Sequence, residues 1–210
     1  VDNVRFRLTS VEATEVDERL AELLVSDSSR IAPHLHAPLQ SGSNAILKRM
    51  GRNWYDAESY RAAIARIFKG ADTFALAADV IAGFPGETEQ DHRATVQLIQ
   101  DLPFNSLHVF PYSARPGTSA VRLRNHVPAK VARERSAELR MLAEEKKRRY
   151  EASRAGGKCD VVVIERGKGL TEDYLSVAVS DQSIPRRGRF YGTLRLEAGI
   201  LTAVPLAPQS

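Results

Sequence analysis

Three short segments of this 210-residue chain combine polar side chains with glycine and serine in a pattern that suits ligand binding. They are residues 35–43 (LHAPLQSGS), 79–88 (DVIAGFPGET) and 108–118 (HVFPYSARPGT). Each pattern predicts a β-strand that ends in a tight loop, where small residues let a ligand approach the backbone closely. Because α/β sheets and barrels bind substrates at the carboxyl ends of their strands, the three segments predict one composite pocket.

Alternation along the strands predicts which side chains face this pocket. One face carries apolar residues such as Leu35, Val80 and Val109. The other face carries Arg5, Arg7, His34, His36, Gln40, Asp79, His108 and Tyr112. A structural barrel interior favours Val, Ile and Leu, so these polar residues predict a lumen that binds a polar molecule. The alternative is a single-layer sheet whose polar face meets water.

Each loop also has a purely structural interpretation. Residues 83–88 frame a nucleoside or an anionic group, or they form a tight turn with a helix cap. Residues 40–43 bind the amino or carboxyl group of a ligand, or they form a Ser/Gly turn. Residues 110–113 stack an adenine, or they pack in the core. No loop has the pattern of a Walker motif or a nucleophile elbow.

Metal binding and membrane insertion are not predicted. His34 and His36 share a strand face, but the spacing offers no third ligand. Cys159 is the single cysteine, which excludes an intrachain disulfide and a cysteine-ligated iron–sulfur cluster built from this chain alone. The cysteine content favours the cytoplasm. No apolar run approaches the roughly 20 residues that span a bilayer.

The order of predicted elements indicates an α/β unit followed by a small β-barrel. Strands are predicted at residues 4–9, 31–40, 74–83 and 105–111, with helices opened by capping boxes or caps at Thr14, Asp56 and Thr88. This βαβ order favours parallel strands. A long helix is predicted over residues 129–154. Four short strands at residues 159–164, 174–179, 189–196 and 200–204 predict an antiparallel barrel, so we expect domains 1–155 and 156–210.

The basic charge of the chain fits a polyanionic partner. The net charge is +4, and the predicted long helix alone has nine Lys and Arg residues against five Asp and Glu. A solvated helix face is the more common explanation of this surplus, and phosphate contact is the alternative. Residues 186–189 (RRGR) add a second basic cluster in the predicted barrel, a fold that often binds nucleic acid.

Taken together, these strings resemble the later part of the radical S-adenosylmethionine methylthiotransferases, in that family's order and spacing. The resemblance includes residues 7–15 (RLTSVEATE), residues 33–43 and residues 47–50 (LKRM), besides the two later loops. The segment from about Lys158 resembles the family's C-terminal TRAM domain, an RNA-binding barrel. The implied fold is a partial (β/α) radical S-adenosylmethionine barrel, with its later four strands, followed by a small OB-like barrel.

This resemblance implies a reaction and its cofactors. Within the family, residues 38–43 (PLQSGS) and 109–113 (VFPYS) resemble the branch that methylthiolates threonylcarbamoyladenosine in tRNA, next to the anticodon. The full-length enzymes use S-adenosylmethionine and 4Fe–4S clusters. The cluster cysteines of the family are absent from this sequence, and Cys159 does not match any of them. We therefore expect no cluster in this chain, no catalytic residue among its side chains, and no activity of the chain alone.

The resemblance also implies roles for individual residues. The expected contacts to S-adenosylmethionine are Ser10, Glu12, Gln40, Ser41, Asp79, Gly83, Phe84, Phe110 and Tyr112. The expected contacts to the modified base or to the tRNA backbone are Arg115, Arg166, Lys168, Arg186, Arg187 and Arg189.

Two alternatives stay open. The chain is a stand-alone RNA-binding protein with a degenerate barrel, or it belongs to the branch that acts on isopentenyladenosine. An incomplete barrel exposes strand edges, so we also expect a dimer or a strand-swapped oligomer.

Overall fold

A four-stranded parallel sheet with helices on one face forms the first part of the molecule. The computed structural model describes residues 4–26, 30–69, 71 and 73–206. The strands follow the order β1 (Phe6–Thr9), β2 (Ile31–His36), β3 (Ala75–Ala82) and β4 (Phe104–Pro111). The helices are α1 (Glu18–Ser26), α2 (Asn44–Arg49), α3 (Ala57–Ile67), α4 (Glu89–Asp101) and α5 (Ala129–Arg154). We refer to β1–β4 and α1–α5 as the sheet unit.

Side-chain caps explain where most helices begin. Asp56 caps α3, as the sequence predicts, and forms a capping box with Ser59; Thr88 and Asp91 form the predicted capping box at α4. The predicted helix start at Thr14 is wrong. Residues 13–15 form a 3₁₀ turn instead, and α1 begins at Glu18, where the Asp17 carboxylate accepts a hydrogen bond from the Leu20 amide. The short helix α2 was not predicted.

The apolar face of the sheet forms the main core. Leu35, Leu76 and Val80 are completely buried under helices that contribute Ile64 and Leu139. This arrangement confirms the predicted alternation, because the residues between them in sequence point to the opposite face. The helices therefore leave the polar face of the sheet available for other contacts.

A closed five-stranded barrel forms the second part of the molecule. Its strands are β5 (Lys158–Glu165), β6 (Lys168–Leu170), β7 (Ser176–Val179), β8 (Arg189–Glu197) and β9 (Ile200–Pro205), in the spatial order β5-β6-β7-β9-β8. The prediction of a wholly antiparallel barrel is wrong at one pair, because β7 and β9 run parallel. Strand β6 was not predicted. We call this unit the C-terminal barrel.

The two units meet through ionic and aromatic contacts. Asp160 on β5 accepts hydrogen bonds from Arg5, which directly precedes β1, and from Arg189 of β8. The guanidinium carbon of Arg7 lies 3.6 Å from the centroid of the Tyr174 ring, and the His34 ring lies 5.2 Å from it. The C-terminal barrel thus covers one end of the sheet's polar face.

Helix α5 joins the two units. It packs along β4, and its last residue, Arg154, donates hydrogen bonds to Glu172 and Asp173 of the C-terminal barrel. The expected domain boundary at residues 155 and 156 falls between α5 and β5. Among the described residues, no helix has the length and apolar character needed to cross a membrane.

Candidate functional site

A cavity of about 560 Å³ opens at the carboxyl ends of β3 and β4. Six of the predicted site residues line it together: Gln40, Asp79, Phe84, Phe110, Tyr112 and Arg115. We call it the loop-end cavity. Its size lies in the range of pockets that hold small molecules and nucleosides. The structure therefore brings together residues that are up to 75 positions apart in sequence.

Strand register places the polar residues of this cavity. Asp79 pairs with His108 across β3 and β4, and Ile81 pairs with Phe110. Gln40 lies beyond the end of β2 and is bound to β3 by two backbone hydrogen bonds, from its amide to the Asp79 carbonyl at 2.8 Å and from the Ile81 amide to its own carbonyl at 2.9 Å. Its φ of 65° turns the chain sharply here.

Aromatic rings form one wall of the loop-end cavity. Phe84 is buried and meets Tyr112 edge to face at 5.3 Å between ring centroids. Phe110 is 51% exposed, so a large part of its ring is free to stack on a ligand. Within the described part of the chain, the buried hydroxyl of Tyr112 has no hydrogen-bond partner. A buried hydroxyl without a partner is costly, and a ligand atom within hydrogen-bond distance would satisfy it.

The loop of residues 83–87 is held by a buried ion pair. The Glu87 carboxylate accepts hydrogen bonds from the Gly83 amide and from Arg135 of α5, the latter at 3.2 Å. Burial raises the pKa of Glu87, and Gly83 and Arg135 oppose that shift. Gly83 has a φ of +77°, and a Cβ there would lie 2.4 Å from Cβ of Ala132. Glycine is therefore required for close packing against α5.

Four predicted cofactor contacts lie outside the lining of the loop-end cavity: Ser10 lines a second cavity, described below, and the other three are Glu12, Ser41 and Gly83. Glu12 accepts a hydrogen bond from Arg52 at 2.9 Å. Ser41 is buried, and its hydroxyl lies 3.3 Å from that of Thr95. Gly83 packs against α5 as described. A cofactor role for these three residues stays a prediction, and their observed contacts are structural.

A second cavity of about 560 Å³ lies where the sheet unit meets the C-terminal barrel. We call it the junction cavity. Its lining includes Ser10, His36 and His108 from the sheet unit and Tyr174 from the C-terminal barrel. Sequence reasoning missed Tyr174, because nothing in its local pattern connects it to a strand more than 130 residues away.

A group of three side chains, which we call the His–Asp–His cluster, lies between the two cavities: His36 and His108 line the junction cavity, and Asp79 lines the loop-end cavity. Oδ1 of Asp79 lies 3.2 Å from Nε2 of His36 and 3.1 Å from Nδ1 of His108. Spacing along the sequence pointed only to His34 and His36. The neighbouring strands instead bring His36, Asp79 and His108 together, with ligand atoms all within 4.8 Å of one another.

The predicted RNA-contacting residues of the C-terminal barrel divide into two groups. Arg166, Arg186 and Arg187 are exposed and close in space, since the Arg186 side chain donates to the Ile164 carbonyl and the Arg187 amide to the Val163 carbonyl. We call these three residues the basic rim. Lys168 forms an ion pair with Glu165 at 2.5 Å, and Arg189 binds Asp160.

Comparison with known proteins identifies those whose sequence or fold is similar to this chain. No protein-family model matches the chain. The chain is 37% identical over 171 residues to the threonylcarbamoyladenosine tRNA methylthiotransferase of Aquifex aeolicus, covering 81% of this chain and 41% of that protein. The Bacillus subtilis protein of the same description is 36% identical over 84% of this chain and 39% of its own length. This chain is a homologue of tRNA methylthiotransferases.

Other matches agree with this assignment. A tRNA-2-methylthio-N(6)-dimethylallyladenosine synthase of Bdellovibrio bacteriovorus is 35% identical over 72% of this chain and 34% of that protein. Coproporphyrinogen III oxidase of Escherichia coli, a radical SAM enzyme, has a TM-score of 0.55 at 17% identity, covering 68% of this chain and 32% of its own. The family resemblance and the partial radical SAM fold are thereby confirmed. The chain spans about two fifths of the length of the Aquifex aeolicus and Bacillus subtilis methylthiotransferases.

An iron–sulfur cluster does not fit the residues of this chain. Cys159 is its single cysteine and lies buried in the core of the C-terminal barrel. Burial raises the pKa of its thiol to about 11, which disfavours the thiolate that metals bind. Cluster ligands would have to come from outside this sequence.

Proposed function

We propose that this chain forms the part of a tRNA methylthiotransferase that contacts S-adenosylmethionine and tRNA. The observation that carries the proposal is the loop-end cavity, where six residues predicted from separate motifs form one lining. Homology to tRNA methylthiotransferases over most of the chain supports it. In such enzymes S-adenosylmethionine supplies the radical and the methyl group, and the sulfur has a separate source. The residues of this chain bind and orient the cofactor and the tRNA.

Each wall of the loop-end cavity suits a different part of S-adenosylmethionine. Phe110 offers an exposed ring on which the adenine stacks. The unpartnered hydroxyl of Tyr112 and the carboxylate of Asp79 offer hydrogen bonds to the nucleoside, and Gln40 meets the methionyl end. Arg115, at the edge, faces a phosphate or the modified base of the tRNA.

The tRNA in this proposal contacts the basic rim of the C-terminal barrel, which acts as a TRAM domain. We assign the substrate to the threonylcarbamoyladenosine branch from the loop strings, and the compartment to the cytoplasm. Edge strand β1 carries Phe6, which is 52% exposed, and supports self-association through this edge. A single monomeric species in sedimentation velocity at high concentration would contradict the self-association.

Equilibrium dialysis with radiolabelled S-adenosylmethionine tests the cavity assignment. We expect one molecule bound per chain, and at least a tenfold weaker affinity for the variant Tyr112→Phe or Phe110→Ala. Tyr191→Phe is the matched control, because Tyr191 is exposed on the C-terminal barrel. The absence of binding, or an equal loss in the control, would contradict the proposal.

Salt dependence of tRNA binding tests the basic rim. A variant with Arg166, Arg186 and Arg187 changed to Gln should bind an anticodon stem-loop more weakly, with the slope of log K against log salt reduced by about 2. The control changes three exposed basic residues of the helices, Lys48, Arg93 and Lys130, to Gln. Equal slopes in the two triple variants would exclude a specific role for the rim.

One observation favours a second function, RNA binding without radical chemistry. The C-terminal barrel is closed and carries the basic rim, whereas the chain offers a single buried cysteine. Retained tRNA binding together with no detectable S-adenosylmethionine binding would favour this second function.

A further inference from the structure

We propose that the His–Asp–His cluster binds a divalent transition-metal ion of the Zn²⁺ type, with an open coordination position facing the junction cavity. The ligands are Nε2 of His36, a carboxylate oxygen of Asp79 and Nδ1 of His108. Two imidazoles and one carboxylate form a common donor set of catalytic zinc sites, which keep their fourth position free for water or substrate.

Distances within the cluster match the size of such a site. In a tetrahedral zinc site with bonds of about 2.0–2.1 Å, neighbouring ligand atoms lie about 3.3 Å apart. The observed separations from Oδ1 of Asp79 are 3.2 Å to His36 and 3.1 Å to His108. The two imidazole rings have centroids 5.7 Å apart, and all three ligand atoms lie within 4.8 Å of one another. An ion therefore fits with small side-chain movements.

The surroundings orient the most buried ligand. The other ring nitrogen of His36, Nδ1, lies 3.5 Å from the hydroxyl oxygens of both Thr9 and Ser10. Metal-binding histidines commonly donate from the second nitrogen, and a hydroxyl oxygen here can accept from Nδ1–H in the tautomer that leaves Nε2 free to bind the metal. Thr9 and Ser10 reach His36 because β1 and β2 pair in parallel, with Thr9 opposite His36.

Access and charge define what binds at the open position. The exposed fraction of the side chain rises from 12% for His36 through 26% for Asp79 to 59% for His108, so an ion can enter from the His108 side. Arg7 and Lys147 line the same cavity as His36 and His108. Their positive charges favour an anionic oxygen, such as a carboxylate or phosphate, as the fourth ligand.

The rival arrangement is a hydrogen-bonded cluster without metal. At these distances the Asp79 carboxylate can accept a hydrogen bond from an N–H of each imidazole, and that arrangement needs no ion. A metal would replace both protons, whereas the rival arrangement requires them. The two arrangements therefore differ in whether Zn²⁺ is bound at a stoichiometry of one.

Isothermal titration of the tag-free, metal-stripped chain with ZnCl₂ tests the proposal, and Co²⁺ provides a second readout through its visible absorption. We expect one ion per chain, with intense Co²⁺ bands typical of four-coordination. Asp79→Asn and His108→Gln should each weaken binding at least 100-fold. Thr9→Val should weaken it about tenfold, as loss of an outer-shell contact does.

Controls separate this site from nonspecific binding. His126→Gln removes an exposed histidine outside the cluster, and Cys159→Ala removes the single thiol; both should leave the Zn²⁺ affinity unchanged. Circular dichroism and urea unfolding verify that each variant folds. Absence of one-to-one binding in the unmodified chain, or equal losses in His126→Gln and His108→Gln, would overturn the proposal. Zn²⁺ binding is measured without S-adenosylmethionine, so its outcome is independent of the proposed function.

Discussion

The loop-end cavity and the junction between α5 and the C-terminal barrel use buried polar groups in opposite ways. In the cavity, the Tyr112 hydroxyl is buried without a partner among the described residues. At the junction, Asp173 is fully buried and accepts hydrogen bonds from Tyr150 at 2.6 Å, from Arg154 at 2.8 Å and from Thr171. The two groups are both polar and buried, and the difference teaches that a structural polar group is one whose partner the protein itself supplies.

The largest expected effect concerns the buried ion pairs between Arg154 and the C-terminal barrel. Arg154→Met removes the cation that pairs with Glu172 and Asp173, and it leaves their charges buried. We expect a loss of about 3–5 kcal/mol in the free energy of unfolding, because an unpaired buried charge is costly. Urea unfolding at pH 7 measures the loss.

Two further variants sharpen this test. Arg133→Met replaces an exposed arginine of the same helix and should cost less than about 0.5 kcal/mol. Arg154→Met combined with Asp173→Asn should cost less than the sum of the two single changes, because no charged Asp173 remains. Strict additivity would show that the junction charges do not act as a pair.

A smaller effect tests the packing that shapes the cavity loop. Gly83→Ala places a methyl group against Ala132 in a left-handed conformation, and we expect a loss of about 2–4 kcal/mol. Gly117→Ala is the matched control, because Gly117 has a φ of +86° with nothing near its would-be Cβ. The control should cost only about 1 kcal/mol. Equal losses would mean that conformation, and not contact with α5, requires glycine at position 83.

The smallest effect concerns a histidine at the junction cavity. Burial, aided by Arg7 and His36, lowers the pKa of His34 from its ordinary 6.5 to about 4. The unfolded chain therefore takes up this proton first as the pH falls. The contribution of His34 to stability is present above about pH 6.5 and is lost between there and pH 4. We expect a loss of about 2 kcal/mol between pH 7 and pH 5.

His34→Phe should remove this part of the acid dependence, because phenylalanine keeps the ring contact with Tyr174 and cannot bind a proton. His126→Gln, at an exposed histidine, should leave the acid dependence in place. Urea midpoints at pH 5, 6 and 7 measure both variants. An unchanged pH slope in His34→Phe would refute the assignment.

Local patterns predicted the sheet unit well, because its signals are short-range. The capping boxes at Asp56 and Thr88 and the alternation around Val80 each depend on a few neighbouring residues. The motif strings placed Gln40, Asp79 and Tyr112 in one cavity because parallel strands end at the same edge. Family resemblance came from the combination of strings, since each string alone has a structural interpretation.

Other features depend on contacts that no local pattern contains. The parallel pairing of β7 with β9 follows from closure of the C-terminal barrel, and three-residue β6 is too short to give a periodic signal. The structural contacts of Ser41 and Glu12 with Thr95 and Arg52 join segments 40 or more residues apart. Alternation placed His36, Asp79 and His108 on one face, but their direct contact was missed, because it depends on the register of three strands.

Helix α5 has a mechanical consequence. Its 26 residues form a rod of about 39 Å, braced near one end by Gly83 and tied at the other by Arg154. The length of α5 sets the distance between the arginines of the basic rim and Tyr112. Lengthening it by one turn would shift that span by about 5 Å. If tRNA binds as proposed, this is roughly one nucleotide step and would move a different base to the cavity mouth.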